Sequence, residues 1–371
     1  MRLADLPTPC LVLERGILQR NLDAMARAVA RHGVTLRPHM KTAKSMDVAR
    51  LALANPLGPS QGITVSTLAE AEYFFGHGIT DILYAVGITP QKLEQVTQLN
   101  AAGAVITVLT DDADMAGLIA EHAHPPRALV EVDCGEHRGG VQPEDPALLD
   151  LAMRLGRSFA GVLTHAGQSY LGRSVADMQA MARGECAAAV DAATRLRAAG
   201  LDCPIVSMGS SPTALYAEAL DGITELRAGV YMLGDLFQAE IGTHGLDDIA
   251  VTVLTSVIGR RPAEGRVLVD AGGLALSKDR STEAAPHDWA YGRVLDIGGQ
   301  PSLGHTLVRR AYQEHGVVEL DPALPAPDLP IGAKLRIAPN QVCMTAAAQD
   351  RYFVVDGTDT VTAIWPRING W

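Results

Sequence analysis

The chain has 371 residues, 47% of them hydrophobic and 20% charged, with a formal net charge of −11. That length can bury a large core, in one big domain plus a smaller one. The acidic balance without a basic cluster speaks against nucleic acid or an anionic membrane as main partner, and no apolar run is long enough to span a bilayer.

Met1-Arg2-Leu3-Ala4-Asp5 shows no signal-peptide pattern. The five cysteines, Cys10, Cys134, Cys186, Cys203 and Cys343, are scattered and lack CxxC spacing. They read as reduced thiols, which points to a cytoplasmic protein.

Pro7–Leu13 reads as a first strand and Glu14–Arg31 as a helix, with Ile17, Leu18, Leu22, Met25 and Val29 at helical spacing. Strand-like runs follow at Thr35–Pro38, Gly62–Val65, Ile82–Val86, Val105–Leu109, Ala128–Val132, Ala160–Thr164, Ile205–Met208 and Thr224–Arg227. Helical stretches alternate with them: Lys44–Ala54, Leu68–Gly76, Pro90–Ala102, Asp112–His122, Ala147–Leu155, Val175–Ala199 and Pro212–Ala219. Thr89-Pro90 and Ser211-Pro212 are start signals, a capping hydroxyl before a proline of the first turn. Eight short strands alternating with helices predict an α/β fold, a TIM-like (β/α)8 barrel. An open doubly wound sheet fits less well, because no GxGxxG follows the first strand.

From about Asp247 the texture changes. Val251–Ile258, Arg266–Val269, Tyr291–Leu295, Val317–Leu320, Ala333–Ile337 and Tyr352–Val355 read as strands between Gly/Pro turns, a second, mostly β domain. Asp321–Pro330 is a stiff proline-rich surface loop within it. The expected division is a barrel over residues 15–245 and a β-rich domain from 1–14 plus 246–371.

Chemistry in such barrels collects at the C-terminal ends of the strands. The first barrel strand leads to Lys41, one of only five lysines (Lys41, Lys44, Lys92, Lys278, Lys334). A partly desolvated lysine can lose its proton and form a Schiff base, whereas Arg cannot; the bland alternative is that Lys41 and Lys44 are solvated residues opening a helix. The fifth strand leads into Asp133–Gly140 with Arg138, the sixth into His165–Tyr170, the seventh into Gly209–Thr213 and the eighth into Gly229-Val230-Tyr231. Gly/Ser loops after the last two strands suit a phosphate, although an ordinary capped helix start has the same composition. A phosphate and a Schiff-base lysine in one barrel suggest pyridoxal phosphate.

Pro7-Thr8-Pro9 with Leu11-Val12, Arg37–Thr42, Glu131-Val132-Asp133 with Arg138 and Gly140-Val141, Gly209–Thr213, Gly229–Tyr231, Val269–Gly272, Glu314–Gly316, and Pro339-Asn340 with Cys343 and Thr345 carry a resemblance over essentially the whole chain. The sequence resembles the D-threonine aldolase/D-serine dehydratase family, fold-type III pyridoxal phosphate enzymes with an alanine-racemase-like barrel. The resemblance implies that Lys41 carries the cofactor and that Gly209, Ser210, Ser211, Gly229 and Tyr231 hold its phosphate. It places Arg138, His165 and Tyr170 around the ring. For Arg138 a salt bridge to Glu136 or Asp133 is the structural alternative, and for His165 a satisfied histidine between barrel and helix.

The family usually has histidine where Gln341 stands, two residues before a cysteine or aspartate, and that pair binds a divalent metal. On an extended segment, positions i and i+2 share a side. Cys343 remains, but an amide oxygen is a poor ligand for zinc and better matched to magnesium or manganese. His315 is the candidate to take over as ligand or general base, or else a structural histidine in a turn.

The expected function is a lyase on D-configured β-hydroxy amino acids, in the first place an aldolase giving glycine and an aldehyde. A D-serine or 3-hydroxyaspartate dehydratase is the alternative; a racemase and a non-catalytic pyridoxal phosphate carrier are more remote. A homodimer is the family-based expectation.

Overall fold

In the computed structural model, which describes all of residues 1–371, the chain divides into two compact units, residues 23–229 with 370–371, and residues 1–22 with 230–369. These divisions, at 22/23 and 229/230, differ from the expected ones at 14/15 and 245/246.

Strand β1 (Cys10–Glu14) and the start of helix α1 (Arg15–Ala30) precede the barrel. Its eight parallel strands are β2 (Thr35–Pro38), β3 (Ile63–Val65), β4 (Asp81–Gly87), β5 (Val105–Thr110), β6 (Ala128–Val132), β7 (Phe159–Thr164), β8 (Ile205–Met208) and β9 (Glu225–Ala228). They pair in the order β2-β9-β8-β7-β6-β5-β4-β3. The seam between β2 and β3 is stitched by parallel bridges at Leu36/Ser60 and His39/Thr64, so the sheet closes. Strands buried on both faces need apolar runs, and Ala128-Leu129-Val130 and the stretch from Phe159 to Leu163 supply them.

The alternating helices are α2 (Met46–Leu53), α3 (Leu68–Gly76), α4 (Pro90–Ala101), α5 (Ala113–Glu121), α6 (Pro146–Leu155), α7 (Val175–Ala198) and the short α8 (Ser211–Tyr216). Their starts follow the capping chemistry in the sequence: the side chains of Thr67, Asp112, Asp145, Ser174 and Ser210 each accept an N–H of the first turn.

Besides α9 (Leu236–Glu240), the second unit holds β10 (Val251–Arg261), β11 (Arg266–Val269), α10 (Gly273–Leu276), β12 (Arg293–Leu295), β13 (Leu307–Ala311), β14 (Gly316–Glu319), β15 (Lys334–Ala338), α11 (Val342–Ala346), β16 (Arg351–Val355) and β17 (Ala363–Pro366). The sheet order is β11-β14-β13-β12-β15-β10-β1-β16-β17, and β10 also pairs with β11, which closes six of the strands into a ring. β1 joins it antiparallel to β10 and parallel to β16. No helix is long and apolar enough to cross a membrane.

Candidate active site at the barrel mouth

β2 ends at Pro38, and the chain then makes a tight turn that places Lys41. The His39 N–H donates to the Ala228 carbonyl (2.7 Å) and the Met40 N–H to the Thr64 carbonyl (2.8 Å), so the turn is pinned to β9 on one side and β3 on the other. A Cβ at position 229 would lie 2.6 Å from the His39 carbonyl, so the β9 exit must be glycine for the two segments to pass.

The two nearby lysines have different fates. Lys44 Nζ lies 2.7 Å from a carboxylate oxygen of the fully buried Glu70 and is held in an ion pair. Lys41 is exposed and makes no ion pair. Lys44 is thus neither a solvated residue nor a free amine, and of the two lysines Lys41 is the one whose amine is not held by a carboxylate.

Two histidines share the ground beside Lys41. His39 Nδ1 stands 3.4 Å from the Lys41 backbone nitrogen, and His165 Nδ1 stands 3.0 Å from the Gly209 carbonyl. Burial, then the charges of Lys41 and Arg227, hold His39 well below the usual imidazole range. His165 is pushed down to about 3 by burial, with the charges of Lys41, Arg138 and Arg227 adding to it. Both are neutral imidazoles at physiological pH, and the fixed charges that act on them are cationic.

Beneath them runs a charged network inside the barrel. Arg227, 4% exposed, donates to Ser207 Oγ (2.5 Å) and to the Thr164 carbonyl. Ser207 donates to Glu225 (2.6 Å), and Arg37 bridges Glu225 and Asp81 at 2.9 Å each. Buried charges persist only when paired, and here each guanidinium meets carboxylates or carbonyls.

Arg138 is more than half exposed and sits 3.4 Å from Glu136 and 3.8 Å from Glu131. The pairing with Glu136 forms, as the structural alternative has it; Asp133 does not take part. Asp133 accepts the N–H groups of Gly135 and His137 and also bonds the His137 ring (2.6 Å) and the Gln142 amide (2.8 Å), which shapes the loop that carries Arg138. Tyr170 lies in a 3-10 turn, Gly167–Leu171, beyond His165.

The Gly209–Thr213 loop is tighter than its composition implies. Gly209 has φ +144°, and a Cβ there would strike the Arg227 carbonyl. The Gly209 N–H donates to Glu185 (2.8 Å) and the Ser210 N–H to Thr213 Oγ1 (3.0 Å), so neither points outward as a phosphate donor. Sequence reading missed Glu185, although a signal existed. The buried stripe of α7 is Met178, Ala182, Glu185, Ala189, Ala192, Ala193 and Leu196, and a lone carboxylate on an apolar stripe must have partners.

The remaining candidates lie in the other unit. Tyr231 is buried, and its carbonyl meets His244 Nε2 at 2.8 Å. His315 is exposed in the turn between β13 and β14, a turn that receives the N–H groups of Gly273 and Leu274 at the start of α10. α10 in turn packs on α11, where Thr345 Oγ1 donates to the Leu276 carbonyl (2.7 Å). Gln341 departs from expectation. The segment is the start of a helix, and Gln341 Oε1 caps it by accepting the Met344 N–H at 2.9 Å. The segment is therefore not extended from Gln341 to Cys343 as the i, i+2 spacing assumes, and no three His, Cys, Asp or Glu side chains converge to hold a metal ion.

Comparison with known proteins adds the following. Residues 14–236 match the alanine racemase N-terminal domain, and residues 250–355 match a serine dehydratase domain. The chain is 42% identical, over 100% of its length and 99% of the relative's, to D-threo-3-hydroxyaspartate dehydratase of Delftia sp. (strain HT23). The solved structure of that enzyme superposes with a TM-score of 0.95 at 41% identity, covering 100% of both chains. D-threonine aldolase of Arthrobacter sp. is 34% identical over 98% of the chain and 92% of the relative.

Proposed function

The chain belongs to the fold-type III pyridoxal phosphate lyases that join an alanine racemase N-terminal domain to a serine dehydratase domain, and from that premise we propose that it is a dehydratase of D-configured β-hydroxy amino acids, with 3-hydroxyaspartate as the model substrate. The observation that carries this reading is the full-length identity of 42% to an enzyme of that name. Aldol cleavage of the same substrates, which the sequence resemblance puts first, stays as the second reading because a D-threonine aldolase is 34% identical along nearly the whole chain.

The barrel mouth fits pyridoxal phosphate. It holds an exposed amine without an ion-pair partner (Lys41), a glycine cradle at Gly229, and buried oxygens without hydrogen-bond partners at Thr64 Oγ1 and Gln168 Oε1. When bound, the cofactor supplies an aldehyde that captures amines and a ring that draws electrons from the bonds of the α-carbon. Lys41 is the amine that would anchor it and the base that would take the α-proton of the substrate in dehydration. His39 and His165 stand neutral beside Lys41. Arg138, held by Glu136 and Glu131, can swing between those carboxylates and an acidic group of ring or substrate. His315 is the base proposed for the β-hydroxyl in the aldol reading. The residues present do not fit a zinc ion, because Gln341 is spent on a helix cap and no third ligand converges. No step here runs through a metal.

A homodimer in the cytoplasm completes the proposal; it rests on the family and the cysteine usage. The test is a panel of D- and L-3-hydroxyaspartate, serine and threonine, with and without chelator. Dehydration of 3-hydroxyaspartate yields oxaloacetate and ammonia, whereas aldol cleavage yields glycine and glyoxylate. Ammonia and oxo acid from the D-enantiomers alone are expected; glycine with aldehyde would transfer the conclusion to the aldolase reading, and turnover of neither enantiomer would sink both.

A further inference from the structure

Glu185 is the one fully buried carboxylate that touches the loop after β8, and the middle of α7 delivers it there. Its Oε1 accepts the Gly209 N–H (2.8 Å) and the Thr164 hydroxyl (3.1 Å), and its Oε2 accepts the Thr213 hydroxyl (2.6 Å). From Thr213 a chain of hydroxyls continues: Thr213 Oγ1 to Ser210 Oγ at 3.0 Å, and Ser210 Oγ to Ser169 Oγ at 2.8 Å, all buried.

The direction of this chain follows from counting protons. An ionised carboxylate only accepts, so Thr213 must give it its single hydroxyl proton. Thr213 Oγ1 then accepts the Ser210 N–H (3.0 Å) and the Ser210 hydroxyl proton. Ser210 Oγ accepts the Thr213 N–H (3.2 Å) and the Ser169 proton. In this sense the protons of all three hydroxyls run toward Glu185, and none of the three is left to offer an anion. With Glu185 protonated, the same distances serve the opposite sense. Glu185 donates to Thr213, Thr213 to Ser210 and Ser210 to Ser169, and the Ser169 proton is released toward a ligand.

We propose that Glu185 is the positioning residue of this loop and takes up a proton when a phosphate ester docks there, reversing the three-hydroxyl chain so that it presents a donor. The inference rests on the reading that Gly209–Thr213 lies against the cofactor phosphate. Two effects drive it the same way: a phosphate dianion needs donors, and a like charge nearby strengthens a carboxylate's hold on a proton. Burial already pushes Glu185 above the usual carboxylate range. The other titratable groups that face it are Arg227 from β9, Cys134 beyond β6 and Cys186 beside it on α7. Burial raises both thiols, Cys134 to about 12, so neither loses its proton near neutrality.

The experiment titrates cofactor-free protein with pyridoxine 5′-phosphate, which has no aldehyde for Lys41, in a calorimeter at pH 8 in two buffers of different ionisation heat. The phosphate ester is already a dianion at that pH, its second pKa lying near about 6, and the comparison with the Gln variant separates uptake by Glu185 from any exchange at the pyridine ring. The expected result is roughly one proton taken up per site. In Glu185→Gln, whose amide can accept from Gly209 and donate to Thr213, that proton should not be taken up and affinity should stay within about threefold, a change of about 0.65 kcal/mol or less. No uptake by the unmodified protein, or equal uptake by the Gln variant, overturns the proposal; should the variant not fold, the unmodified protein decides alone. Failure of the ester to bind at all is a separate result, and it overturns the cofactor reading and this inference with it.

Discussion

Lys41 and Lys44 are three residues apart and chemically identical, and only their surroundings assign their roles. Lys44 neutralises a Glu70 that no water reaches, so Lys44→Ala leaves a buried charge unpaired. We expect it to cost about 3 kcal/mol in denaturant unfolding while cofactor is retained. Lys41→Ala should change stability by less than about 0.5 kcal/mol, as for other exposed side chains, and should abolish the reducible cofactor band. The opposite pattern would exchange the two assignments. A second expectation concerns His165. Its native value near 3 lies below the ordinary imidazole value of about 6.5, so the unfolded chain binds a proton that the native state refuses. Its contribution to stability is therefore complete above pH 6.5 or so and is lost as pH falls toward about 3. Replacing it in His165→Gln should flatten that acid limb, by on the order of 2 kcal/mol; an unchanged limb would show that His165 is not the group responsible.

At the scale of elements, α11 shows how a local cap can take a side chain out of a site. Gln341 Oε1 is committed to the Met344 N–H, and Gln341→Ala should cost about 1 kcal/mol through the lost cap. Gln341→His restores an imidazole near Cys343, and elemental analysis should show more zinc retained than in the unmodified protein, where little is expected. One tightly held zinc per unmodified chain would refute this. The same segment marks a limit of sequence reading. Alternation of barrel strands and helices was legible because β-branched runs and capped helix starts repeat with two distinct periods, and Lys41 was legible because lysine is scarce. The helix start at Val342 was not, because Gln is a weak capping signal. β13 escaped because Arg309-Arg310 interrupts its apolar run at a bulge, and β17 because an edge strand that ends in Pro366 is half exposed. Glu185 was visible only once its helical stripe was aligned, since its partners, Thr164 and the Gly209–Thr213 loop, come from two segments distant in sequence.

For the molecule as a whole, the expected assembly is a homodimer, and light scattering should give twice the 39.2 kDa chain mass; a fully active monomer would refute it. The account depends most on one amine at the mouth of the barrel. Holoprotein reduced with borohydride, digested and mapped by mass spectrometry reports that amine directly. The account predicts a single phosphopyridoxyl group on the peptide containing Lys41, and on Lys41 within it. A label on Lys44, Lys92, Lys278 or Lys334, or no label at all in protein carrying the cofactor, would contradict it.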